Sequence, residues 1–159
     1  MNIKKIRTLI IALIVLLFMV SVVSADDKAK FYASKSYYHH DQDVKLTLKN
    51  TEKKSIFVPC NGEIKIKNKK GSTVAKLDWD LKGDGCDGNA DEGFLSVSGA
   101  PTGNYVNLYE LKHDHKITKN WDDDDRHNVK YGKYKAYTKY FNHYLNPKEV
   151  HTDTFALKK

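Results

Sequence analysis

Residues 43–50, DVKLTLKN, place Val44, Leu46 and Leu48 on one side of an extended chain and Lys45, Thr47 and Lys49 on the other. A period of two is the mark of a half-buried β-strand; on a helix Leu46 would point away from Val44 and Leu48. The same pattern recurs along the chain. SIFVP and EIKIKN follow, the latter with Ile64 and Ile66 facing inward against Lys65 and Lys67. NKKGSTV supplies a glycine-containing hairpin turn into VAKLDW, and later strands are expected at YVNLYEL, KITKNW, KYKAYTKY and HTDTFAL. No helical stripe interrupts them. Short strands with turn signals between them predict an all-β, immunoglobulin-like antiparallel β-sandwich.

The N-terminus predicts the compartment. Lys4, Lys5 and Arg7 precede an apolar run from Leu9 to Val23, and Val23-Ser24-Ala25 offers a cleavage site before Asp26. That is the layout of a secretory signal peptide over residues 1–25, with the sandwich domain spanning 26–159. The competing outcome is an uncleaved anchor, because the apolar run is only slightly shorter than a membrane span. Membrane association is expected in that case alone. The predicted location is secreted, or the extracellular face of the cell envelope.

Loss of residues 1–25 removes three positive charges, leaving 24 Lys and Arg against 20 Asp and Glu, so the formal net charge falls from +7 to +4. Arg126 is the one remaining arginine. Phosphate recognition favours the planar guanidinium fork, which lysine lacks, so the composition argues against a nucleic-acid partner. Two cysteines, Cys60 and Cys86, in an exported chain predict one disulfide.

Between Asp78 and Gly103 the chain is rich in Gly and Asp, and a connection of this length calls for a function or a tether. Asp84, Asp87, Asn89, Asp91 and Glu92 alternate there with glycines and form the candidate calcium site, the one cofactor the sequence offers. No EF-hand register fits: counting from Asp78 the fifth position is Lys82, and from Asp87 the twelfth is Ser98. The other acidic run, Asp122 to Asp125, reads as a solvated turn, because successive aspartates on an extended chain point in different directions. His113 and His115 would share a face if extended, but two ligands do not complete a metal site.

On KYKAYTKY, Tyr134, Ala136, Thr138 and Tyr140 share one face, with Tyr134 and Trp121 assigned to the core. Tyr137 and Phe141 fall on the opposite face with Lys135 and Lys139, and are the candidate binding residues for a protein or glycan partner. Gly-x-Ser-x-Gly, His-Glu-x-x-His and a glycine-rich phosphate loop are all missing, so no enzymatic activity is expected.

Trp121-Asp122, a polar turn and then Val129-x-x-Gly132-x-Tyr134 resembles the penultimate hairpin of bacterial and archaeal immunoglobulin-like domains. Notable among these are the intracellular proteinase inhibitor (BsuPI-like) family and the domain of the flagellar hook-assembly protein. YYHHDQDVKLTLKNT resembles the opening of the same pattern, EIKIKNKKGSTV its central hairpin and HTDTFAL its closing strand. The resemblance covers about Tyr38 to Leu157 and rests on strand and turn signatures; the Cys86 segment is an addition to it. It implies the sandwich and, by analogy, a proteinase inhibitor acting through an exposed loop such as Lys82 to Ser98 or Phe141 to Pro147. The leading expectation is instead an exported noncatalytic binding or accessory module of the cell surface. A cation-stabilised structural domain of the envelope is the third reading.

Overall fold

The computed structural model describes residues 29–82, 86, 107–126 and 128–159. The expected signal peptide and the calcium-candidate residues Asp84, Asp87, Asn89, Asp91 and Glu92 lie outside the described residues. Among the described residues, eleven strands and a single 3-10 turn, Asp124–Arg126, make up the regular structure. They are β1 (Lys30–Ala33), β2 (Tyr37–His39), β3 (Val44–Lys49), β4 (Ile56–Pro59), β5 (Glu63–Asn68) and β6 (Thr73–Asp78). After the Cys86 region follow β7 (Leu108–Leu111), β8 (Lys116–Trp121), β9 (Gly132–Phe141), β10 (Pro147–His151) and β11 (Phe155–Lys158).

Two sheets pack face to face. The smaller has the order β1-β3-β8, and the larger is organised around β9. One edge of β9 pairs with β5 and, at Phe141, with β4; the other pairs with β10 and then β11. Among the described residues the pairings are antiparallel, as the expected antiparallel sandwich requires, with β2 added parallel to β11 at its edge.

The alternation read from the sequence fills the core. Val44, Leu46 and Leu48 of the smaller sheet are fully buried, as are Ile64 and Ile66 of the larger, and Tyr134, Ala136, Thr138 and Tyr140 line the inner face of β9. Trp79 also lies in the core, edge-on to Phe31 across the sandwich at 5.9 Å, with its indole N–H donating to Thr138 Oγ1 at 3.0 Å. Burial of an indole is tolerated because this bond satisfies its polar end.

Trp121 and Tyr134 do not belong to one hairpin. β8 is in the smaller sheet and β9 in the larger, so residues 122–131 carry the chain across the end of the sandwich, and the second strand starts at Gly132. The two rings meet between the sheets, centroids 6.2 Å apart and nearly perpendicular. The Tyr134 hydroxyl donates back to the Lys130 carbonyl, the corner contact that terminates this crossing in immunoglobulin-like sandwiches.

The closing segment HTDTFAL is also not one continuous strand. Register runs from Pro147↔Phe141 to His151↔Tyr137 and resumes at Phe155↔Tyr134, so residues 152–154 oppose only residues 135 and 136. Fully buried Thr152 absorbs this bulge: its amide donates to the Ala136 carbonyl and its hydroxyl accepts the Ala136 N–H. Cys60, just after β4, is bonded to Cys86 with Cα atoms 5.5 Å apart.

Candidate functional site

The outer face of the larger sheet gathers the side chains that the core rejects. On β9 these are Lys133, Lys135, Tyr137, Lys139 and Phe141, alternating with the buried positions. Register then sets their neighbours. Lys135 stands directly opposite Lys67 of β5, Tyr137 lies between Lys65 and His151, and Lys133 is flanked by Ala156. At the far end Phe141 sits between Phe57 and Pro147.

Tyr137 is half-buried. The Lys67 ammonium lies 4.6 Å from its ring centre and the His151 ring 5.4 Å away. Phe141 is half-buried as well. Four residues along a strand place it about 13 Å from Tyr137, so the two binding candidates share a face without forming one patch. Among the described residues the more exposed aromatics are others: Tyr37, Tyr131 and Tyr144, and to a smaller extent Tyr32. Tyr37 continues the same face beyond Ala156 and carries the Lys158 ammonium 4.3 Å from its ring.

Charge is divided unevenly over this face. Glu63 takes Lys65 at 3.0 Å and Lys76 at 2.9 Å, and hydrogen bonds first from Lys76 and then from Lys65 lower the pKa of its carboxyl group. At the other end the lysines form no ion pair with a carboxylate among the described residues. A groove of about 430 Å³ opens between the β5–β6 turn and β9, bordered by Asn68, Lys69, Gly71, Lys133, Lys135 and Tyr137. Its turn wall is fixed by Asn68, whose side chain accepts the amides of Lys70 and Ser72, and by Gly71 at φ 82°, a conformation that suits glycine. Among the described residues Lys67, Lys69, Lys133 and Lys135 make no ion pair.

The remaining candidates are placed as follows. His113, Asp114 and His115 lie in the β7–β8 turn, not on a strand, with Asp114 at φ 61°. His113 Nδ1 is 2.7 Å from the Glu52 carbonyl, and Lys49 is the leading cause of a lowered Asp114 pKa. No group of three or more His, Cys, Asp or Glu side chains converges on a point among the described residues. In the acidic run Asp122 and Asp125 are exposed, whereas Arg126 turns inward and is fully buried. Phe141 to Pro147 forms a closed turn in which Asn142 Oδ1 accepts the amides of Tyr144 and Asn146.

Sequence reasoning singled out Tyr137 but not the lysines around it. Their alternation on β5 and β9 is visible in the sequence, but the register that makes Lys67 and Lys135 neighbours is not. The chain matches no protein-family model, and comparison with curated proteins returns no significant match.

Proposed function

We propose that this protein is an exported, noncatalytic binding module of the cell surface that engages a protein or glycan partner through the outer face of its larger sheet. The observation that carries the reading is the groove beside Tyr137, where lysines with no acidic partner among the described residues gather from the central strand β9 and the neighbouring β5–β6 hairpin. Sites built on strands hold their geometry better than sites on loops. A Cys60–Cys86 bond fits an oxidising, extracellular setting.

A proteinase inhibitor must offer an extended segment to the enzyme. The turn after β9 is instead closed on itself through Asn142, which favours the binding module over that alternative at this loop. The test is sedimentation of the full-length chain, produced with its own leader, with isolated envelopes and secreted material of its source cells. Saturable retention is expected, lost in Lys67→Glu/Lys135→Glu and kept in Lys45→Glu/Lys116→Glu on the smaller sheet. Absence of saturable retention, or equal loss in both variants, would overturn the reading.

A further inference from the structure

Resting on that reading, we infer that the groove between the β5–β6 turn and β9 is a subsite for an anionic polysaccharide, whose carboxylate or sulfate groups are held by Lys67, Lys69, Lys133 and Lys135. The first reason is the charge pattern. Lys67 and Lys135 are direct cross-strand partners, an arrangement that disfavours folding because like charges stand side by side. Farther along the β5–β6 hairpin, Lys65 of β5 and Lys76 of β6 are neutralised by Glu63. One end of the sheet thus carries its own counter-ion, and the lysines at the other make no ion pair among the described residues.

The second reason is spacing. Lys133 and Lys135 are two residues apart on one face of β9, about 6.7 Å, and Lys135 and Lys67 are one strand apart, about 5 Å. Cations at such intervals, along one strand and across to the next, suit a polymer that carries charges on successive sugars. Tyr137 acts as a positioning residue: its ring sits under the Lys67 ammonium and restrains that lysine beside the groove.

The same contact argues against nucleic acid. Single-strand binders present open aromatic faces on which bases stack, but here Lys67 covers the Tyr137 ring. The lysine point charges also lack the bidentate geometry of arginine. An acidic protein would need a broad surface, whereas Lys69, Lys133 and Lys135 line a concavity of about 430 Å³ and Lys67 stands beside it, over the Tyr137 ring.

The experiment measures binding of the full-length chain to polygalacturonate, dextran sulfate, neutral dextran and poly(dT) at low and physiological salt. At least one charged glycan should bind, neutral dextran should not, and affinity should fall as salt rises. Lys67→Gln/Lys133→Gln/Lys135→Gln should weaken binding by about 10- to 100-fold, at up to about fivefold per lysine, with Lys65→Gln/Lys76→Gln changing it little. Tyr137→Leu should weaken it by a smaller factor with the fold intact by thermal melting. Failure of both charged glycans to bind, equal or tighter binding of poly(dT), or insensitivity to the triple substitution would overturn the inference. Were the glycans inert while envelope retention persisted and disappeared on protease treatment of the envelopes, the subsite would fall and the binding-module reading would stand.

Discussion

The guanidinium carbon of Arg126 lies 5.6 Å from the centre of the Trp121 ring, with both side chains fully buried. Arg126 Nη2 donates to the carbonyls of His40 and Gln42, at 3.2 and 2.6 Å, and so ties the crossing after β8 to the β2–β3 turn. Nε and Nη1 have no hydrogen-bond partner among the described residues. Arg126→Ala should therefore lower unfolding free energy by about 3 kcal/mol, through two charge-assisted bonds and a cavity. Arg126→Met keeps volume and removes a desolvated charge, so its effect should be milder. Urea unfolding of the two variants checks the order.

Trp121 spans the sandwich to reach Tyr134. Trp121→Ala should destabilise by about 3–5 kcal/mol or prevent folding. A few atoms away, Asp122→Asn and Asp125→Asn should change stability by no more than about 0.5 kcal/mol, because both carboxylates are solvated. Thermal unfolding with calcium and with chelator adds a control. A calcium-dependent rise in melting temperature abolished by these substitutions would make the run a cation site.

Joining Cys60 to Cys86, 26 residues apart, restricts the unfolded chain and should contribute roughly 3–4 kcal/mol on the chain-entropy model. Cys60→Ser should lower the melting temperature accordingly. Mass spectrometry of the native protein should find the Cys60–Cys86 linked peptide, and two alkylatable thiols would remove the claim.

Burial raises the pKa of the Tyr134 phenol, whose hydroxyl donates to the Lys130 carbonyl. A folded-state value above the unfolded one means that the contribution is complete below the unfolded pKa of about 10 and declines as pH rises through the folded value. Tyr134→Phe should cost about 1–2 kcal/mol at neutral pH. It should also flatten the stability profile above about pH 10, as measured by denaturant midpoints across that range.

Lys135→Glu replaces the like-charge pair with Lys67 by an opposite-charge one. Stability should rise by about 0.2–1 kcal/mol while charged-glycan binding falls. Calorimetry on the same samples used for binding would separate the two effects; a loss of both would mean that Lys135 serves the fold.

Much of the fold was legible because period-two alternation is a local property. The inward sets Val44/Leu46/Leu48 and Tyr134/Ala136/Thr138/Tyr140 are fixed once the chain is extended, and Asn68 to Ser72 encode their own turn. Tyr137 was assigned to the outer face for the same reason.

Which strands become neighbours is not a local property. The sequence by itself determined an all-β chain, its strand faces and the core placement of Trp121, Tyr134 and Tyr140. Only the tertiary structure decided that β8 and β9 lie in different sheets, so that the apparent Trp121–Tyr134 hairpin is a crossing. It also decided that the bulge at Thr152 shifts the closing strand. Arg126, an ordinary polar residue in sequence, is buried because the β2–β3 turn presents carbonyls to it. Lys67 meets Lys135 through pairing across 68 residues of chain (67 to 135). Register is set by how two inner faces fill one core, and the outer-face neighbours follow from that packing rather than from any signal of their own.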